Sequence, residues 1–159
     1  MGKLSYLCGP SHSGKSTFCS KWIQEQDPDG FYRVVVNTDS LRKAICGTRY
    51  NKYTEPVVFN TKYYMITALW LQGYHVLNDG TNTTDTSIRR LLEIDPNAKP
   101  IILNVPLDIC IDRIKLTEQK DMVPVITRQY NQLQKILKEG IDNVHARLLK
   151  EVETRWKTV

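Results

Sequence analysis

Four residues near the N-terminus, Gly9, Gly14, Lys15 and Ser16, meet the spacing G-x-x-x-x-G-K-[ST] inside the run Gly9-Pro10-Ser11-His12-Ser13-Gly14-Lys15-Ser16-Thr17. Each residue type there suits a triphosphate. The glycines allow backbone angles and a close approach that a side chain would block. The N–H groups of the loop, Ser11, His12, Ser13 and Gly14 among them, can then face phosphate oxygens. The N-terminus of a helix opening near Lys15 adds to that field. Lys15 brings a point charge to the β and γ phosphates, the Ser16 hydroxyl can ligate Mg²⁺, and Thr17 can donate to the α phosphate. Such a loop needs a strand before it and a helix after it. The β-prone run Lys3–Cys8 and the segment Lys15–Gln26, with Phe18, Trp22 and Ile23 on one side, predict both. The competing reading is a glycine-serine turn that happens to carry a lysine.

A second set of chemically able residues follows the next apolar run. Tyr32–Asn37 carries Val34-Val35-Val36, a buried-strand signature, and leads into Asn37-Thr38-Asp39-Ser40-Leu41-Arg42. Ligands of open α/β sheets bind at the carboxyl ends of strands, so Asp39 is expected to face the loop. A carboxylate there can take or orient the proton of an attacking hydroxyl. It can also cap a helix, and the two roles are compatible. Arg42, three residues on, falls on the same helical face and suits an anionic group on the acceptor. A third strand, His75–Asp79, puts Asp79 beside the same edge. Asp79 suits Mg²⁺ held through water, or orientation of Arg42 or Lys15; its other reading is a turn-forming Asp79-Gly80 pair. A phosphatase reading of Asp79-Gly80-Thr81 fails, because Leu77 stands where a second aspartate is needed. Arg113, with Lys115 and Lys120 after it, predicts a basic lid over a transferred phosphoryl group, or else a solvated helix end. Thr48-Arg49-Tyr50-Asn51-Lys52-Tyr53-Thr54 and Lys62-Tyr63-Tyr64 interleave bases with tyrosines, which suits a nucleic-acid strand; for Tyr63 and Tyr64 helix packing is the stronger reading.

Positioning these groups calls for alternating strands and helices. Further helices are predicted over Asp39–Cys46, Pro56–Gln72 and Thr84–Glu93. A fourth strand is predicted at Ile101–Val105, then a helix over Ile109–Leu116 capped by Asp108, and another from Pro124 to about Lys138. Ile141, Val144, Leu148, Val152 and Trp156 form a stripe on a terminal helix. The expected fold is therefore α/β: a three-layer sandwich with a four-stranded parallel sheet between helices. One domain over 1–159 is expected, with a core of 1–140 and a C-terminal helix at 141–157. The terminal stripe packs on the domain or mediates a homo-oligomer. The 159 residues, 41% hydrophobic and 25% charged, suit one globular core, and the net charge of +5 is compatible with an anionic substrate. Cys8, Cys19, Cys46 and Cys110 form no C-x-x-C pair, which predicts reduced thiols and a cytoplasmic location. No apolar run approaches the roughly 20 residues of a membrane span, so no membrane partner is expected.

Taken together, these residues resemble the kinase domain of the phage-type 5′-hydroxyl polynucleotide kinases, from about Leu4 to about Leu137. The carriers are Gly9–Thr17, Asn37-x-Asp39-x-x-Arg42, Tyr50 with Lys52-Tyr53-Thr54, Asp79-x-Thr81-Asn82, and Val105-Pro106 with Arg113. The resemblance implies a P-loop kinase fold using ATP and Mg²⁺. It implies Asp39 as general base on a 5′-hydroxyl and Arg42 on a phosphate of the acceptor strand. It implies Lys15 and Ser16 on ATP and Mg²⁺, and Tyr53 and Asn82 on the acceptor side. That family's lid carries a second arginine where Thr117 stands here, leaving the charge to Lys115 or Lys120.

The expectation is an ATP-dependent phosphotransferase with Lys15, Asp39 and Arg113 as catalytic residues. Its acceptor is a DNA or RNA 5′ end, or alternatively a small molecule or nucleotide. A reading of another class, a non-catalytic nucleotide-binding regulator, is disfavoured by the joint presence of Lys15, Ser16, Asp39, Arg42 and Arg113.

Overall fold

Valine, leucine and cysteine runs too short for helices pair into one sheet. The computed structural model describes residues 1–47 and 50–158. Thr48 and Arg49, part of the basic aromatic loop, lie outside the described residues. Four strands, β1 (Lys3–Cys8), β2 (Arg33–Asn37), β3 (His75–Asp79) and β4 (Lys99–Ile102), run in the order β2-β3-β1-β4, and every pairing is parallel. The central strands are buried from Leu4 to Cys8 and throughout β3. That follows from covering both faces of a parallel sheet.

Seven α-helices are present among the described residues: α1 (Lys15–Trp22), α2 (Thr38–Cys46), α3 (Glu55–Leu71), α4 (Asp85–Ile94), α5 (Leu107–Lys115), α6 (Val123–Glu139) and α7 (Ile141–Lys157). Strand alternation splits the core. Leu4, Tyr6, Cys8, Val36 and Val76 face one side, under Tyr63 and Ile66 of α3, Ile88, Leu91 and Leu92 of α4, and parts of α6 and α7. Leu7 and Leu77 face the other, against Cys19 and Trp22 of α1. A third cluster, Cys110, Ile114 and Ile126, joins α5 to α6. Val144 and Leu148 of α7 belong to the first cluster, so that stripe packs on the domain, while Trp156 is 70% exposed. All four cysteines are free thiols. No helix among the described residues is long and apolar enough to cross a membrane.

Three elements differ from expectation by two residues or more at an end. Helix α1 stops at Trp22 instead of Gln26, because Arg33 Nη1 donates to the Trp22 carbonyl (2.8 Å) and Glu25 N takes the same oxygen in a tighter turn. Strand β4 covers 99–102, not 101–105. Its last ladder bond is Leu103 N to Cys8 O (2.9 Å), and past Cys8 the neighbouring strand has left the sheet. Pro100 is tolerated because β4 is an edge. Helix α5 starts at Leu107, with the Pro106 carbonyl accepting from Ile109 and Cys110. Asp108 therefore sits in the first turn, complementing the helix dipole rather than capping.

Candidate active site

The Gly9–Thr17 loop leaves the carboxyl end of β1 and enters α1 at Gly14, whose φ of 90° is the left-handed conformation that glycine adopts without steric cost. Gly9 is required by space. A Cβ there would stand 2.8 Å from the Leu103 carbonyl oxygen. Thr81 O accepts from Gly9 N (2.9 Å), tying the loop's first residue to the turn after β3. The Lys15 ammonium donates to Pro10 O (2.7 Å), so it lies folded over its own loop. Burial pulls the Lys15 pKa down, and the charges of Asp79 and Asp39 oppose that shift. Ser16 and Thr17 are exposed on the first turn of α1.

These residues fit a magnesium triphosphate. The loop lies against Leu103 only because Gly9 lacks a side chain. Ser13 Oγ and His12 Nδ1 are buried beside it without a hydrogen-bond partner among the described residues. Lys15 and Ser16 supply an ammonium and a hydroxyl, the donor types that phosphate and Mg²⁺ want. Asp79 adds a buried carboxylate at the end of β3. Among the described residues no group of three or more His, Cys, Asp or Glu gathers elsewhere as a metal site.

Asn37 Nδ2 donates to the Asp79 carboxylate at 2.5 Å. Burial, reinforced by the Asp79 charge, pushes the thiol of Cys19 on α1 up to about 12, so it stays protonated. Asn37 is also the N-cap of α2, its Oδ1 accepting from Ser40 N at 2.6 Å. This corrects the capping reading of Asp39, whose side chain is 90% exposed and paired with Arg42. The cap thus leaves the Asp39 carboxylate free of the backbone, and its charge reaches both Lys15 and His12.

Arg42 is engaged from two directions. Its Nε donates to Glu55 Oε2 (2.9 Å) and Oε1 (3.1 Å), its Nη2 also donates to Glu55, and its Nη1 donates to Asp39. With 12% of its side chain exposed, Arg42 is a tether between α2 and α3, with two N–H groups left for an acceptor anion. Glu55 was not singled out by sequence. Its only signal is its place beside Pro56 in the first turn of α3.

Arg113 reaches the loop from α5, donating from Nη1 to His12 O at 2.9 Å. Lys115 and Lys120 are exposed, and among the described residues no contact ties either to the cradle. A second clamp, also missed by sequence, comes from α6: Gln129 Oε1 accepts from Ser11 N at 2.9 Å.

Two expected acceptor residues part company. Tyr53 is 79% exposed ahead of α3, with the Lys52 ammonium 5.0 Å from its ring centroid, and is open to stacking. Asn82 is not brought to the acceptor side. It is buried with φ 44°, and its amide donates to Leu7 O and Asn78 Oδ1, both at 2.8 Å. Its carbonyl accepts from the Cys8 thiol at 3.2 Å, so it braces the end of β1. Tyr63 packs in the core as expected, and Tyr64 is exposed.

Solved structures share this fold. A chain in the structure of the Pnkp1/Rnl/Hen1 RNA repair complex superposes with a TM-score of 0.73 at 22% identity, covering 87% of this chain and 46% of that one. The present chain thus spans less than half the length of that neighbour. The Mycobacterium tuberculosis APS kinase CysC, solved with AMPPNP and APS, gives 0.61 at 17% identity, covering 76% of this chain and 72% of its own. A gluconokinase from Sinorhizobium meliloti 1021 gives 0.56 at 16%, covering 98% and 97%. No curated protein sequence matches. At these identities the likeness establishes the fold, that of a P-loop kinase-like α/β domain. The model of the AAA domain family matches residues 4–139, and the chain belongs to that family.

Proposed function

We propose that this protein is an ATP-dependent phosphotransferase acting on a hydroxyl, with the 5′-hydroxyl of a DNA or RNA end as acceptor. One observation carries the reading. An exposed carboxylate, Asp39, sends its charge onto Lys15 and His12 of a triphosphate cradle that Arg113 closes from the opposite helix. A cradle that only sensed nucleotide would need neither group. Asp39 takes the proton of the acceptor hydroxyl as its oxygen bonds to the γ-phosphorus, while the bond from that phosphorus to the β–γ bridging oxygen breaks and ADP departs. Lys15 and Arg113 balance charge on the moving phosphoryl oxygens. Ser16, with Asp79 through water, would hold Mg²⁺, which when bound neutralises charge on the phosphates.

A polynucleotide acceptor is supported by exposed Tyr53 beside Lys52, by the spare N–H groups of Arg42, and by the RNA-repair neighbour. A small-molecule acceptor is the second reading. It is favoured by the occupation of Arg42 by Glu55 and by the end-to-end match with a gluconokinase. The deciding experiment incubates the protein with labelled ATP and a panel of 5′-hydroxyl oligonucleotides, nucleosides, nucleotides and sugars. Asp39→Ala is expected to lose transfer while retaining Mg·ATP binding. An Asp39→Ala variant with near-normal turnover removes Asp39 as the base.

A further inference from the structure

We infer that Lys62 of α3 and Arg90 of α4 form a second anion site, which takes a phosphate-type oxyanion that the acceptor carries beyond the group met by Arg42. This rests on the phosphotransferase reading. The observation behind it is a buried cation left without a counter-ion. Lys62 is 2% exposed and stands on the inner face of α3 between Val58 and Ile66, both fully buried. Its ammonium meets only ring faces, with Phe59 at 4.5 Å and Tyr63 at 4.4 Å to the centroids. A ring face offsets part of the lost hydration but offers no oxygen to the three N–H donors. Arg90 adds a second cation, its guanidinium carbon 4.1 Å from the same Tyr63 centroid. Its hydrogen bond there is a long one, from Nη2 to Asn60 Oδ1 at 3.5 Å.

Two like charges thus share one ring, and the carboxylates nearby are already committed. Glu55, whose charge reaches Lys62, is bound to Arg42, and Glu93 is paired with Arg155 at 3.4 Å. Leaving such charges desolvated and unpaired is costly, and a bound oxyanion removes the cost. Access and spacing fit a ligand. His12 Nδ1, Ser13 Oγ and Trp70 Nε1 are sealed from water without a partner among the described residues; Lys62 Nζ is not one of them, so its tip still meets solvent. Arg90 and Tyr63 line a groove of about 490 Å³ between α3 and α4. Glu55 and Lys62 lie seven residues apart on one face of α3, two turns or about 10 Å. Lys62 therefore stands beyond the Arg42–Glu55 tether, out of reach of an oxyanion held by Arg42. A ligand that fills both places carries two anionic groups about that far apart, as the phosphodiesters of an oligonucleotide do and a simple sugar does not.

The test is calorimetric titration of wild type, Lys62→Met and Arg90→Met, each with Mg·AMPPNP present, with a 5′-hydroxyl hexanucleotide, a 5′-hydroxyl dinucleotide and inorganic phosphate, alongside thermal melts. Lys62→Met removes an uncompensated buried charge, so its melting temperature is expected at or above wild type, and misfolding cannot account for lost binding. Hexanucleotide affinity is expected to fall roughly 10- to 100-fold in either variant, the size of a charge-assisted hydrogen bond. The slope of log affinity against log salt is expected to flatten by about 0.7, one phosphate contact on a single strand. The dinucleotide, with one phosphodiester, is expected to bind all three proteins within about twofold. Hexanucleotide affinity unchanged in Lys62→Met, an equal loss with the dinucleotide, or an unchanged salt slope would each overturn the inference. A loss confined to inorganic phosphate would give the site to a free anion and overturn the acceptor assignment. A wild-type chain that phosphorylates no acceptor sinks the phosphotransferase reading and this inference with it. Transfer to the hexanucleotide with kcat/KM unchanged in Lys62→Met sinks this inference alone.

Discussion

The tether between Arg42 and Glu55 can be tested by a double-mutant cycle. Both side chains are nearly withdrawn from water, 12% and 14% exposed, and three hydrogen bonds join them. Glu55→Leu would leave an arginine desolvated with only the exposed Asp39 as partner. Stranding one member of a fully buried pair costs about 3–5 kcal/mol; with a tenth or more of each side chain still wetted, about 2–3 kcal/mol is expected. For a domain of this size that lowers Tm by about 4–12 °C. Arg42→Met should cost a similar amount by stranding Glu55. The double variant removes both charges and substitutes apolar groups of like volume, so it should recover about 1.5–3 kcal/mol relative to the sum of the singles. Chemical denaturation of the four proteins reads this directly. A double variant whose loss equals that sum within about 0.5 kcal/mol would show that the two residues do not act as a pair, and the tether between α2 and α3 would have no energetic content.

Two further substitutions probe the frame around the site. Lys62 of α3 is 2% exposed, and burial first, then Arg90 and Arg42, brings its pKa from 10.5 down to about 8. The unfolded chain therefore binds more protons than the native one between pH 8 and 10.5, stability rises with pH across that window, and Lys62→Met should abolish the rise while gaining about 1–3 kcal/mol at pH 7; denaturation curves that stay parallel with pH would refute this. Gly9→Ala would force a methyl to 2.8 Å from the Leu103 carbonyl, costing about 1–3 kcal/mol and at least about tenfold in Mg·ATP affinity by calorimetry, and unchanged binding would contradict the cradle geometry.

What was legible in the sequence shares one property: its contacts are local or its pattern is one-sided. Strand β3 was placed to the residue because His75–Asp79 is bounded by Gly73 and Gly80 and buried throughout. Gly9–Thr17 needed only its own spacing, and Asp39 and Arg42 needed one helical turn. Strand β4 was misplaced because Lys99 and Pro100 lack the apolar signature of a buried strand, while their pairing with Ser5 and Tyr6 is set by register with β1. Glu55 and Gln129 were not legible. Their partners lie 13 and 118 residues away, and nothing in an amphipathic helix marks one polar residue as facing a loop instead of water.

Asn82 shows where local reading goes wrong and why the error is informative. Asp79-Gly80-Thr81-Asn82 follows a strand at the ligand-bearing edge, so each polar residue there invites a ligand role. The backbone at φ 44° instead turns the Asn82 amide inward, onto Leu7 O and Asn78. Thr81 O meanwhile takes Gly9 N, and Asn82 O takes the Cys8 thiol. The turn after β3 thus holds the last residues of β1 and the first of the cradle, fixing where Gly9 leaves the sheet. A cradle whose amides must meet phosphate without rearrangement needs such a brace, because a loop free at its root would spend binding free energy on ordering itself. Asp79, whose charge reaches Lys15, and Asn82, which anchors on Leu7, stand three residues apart, so one short turn carries both a candidate site residue and the frame that positions the loop.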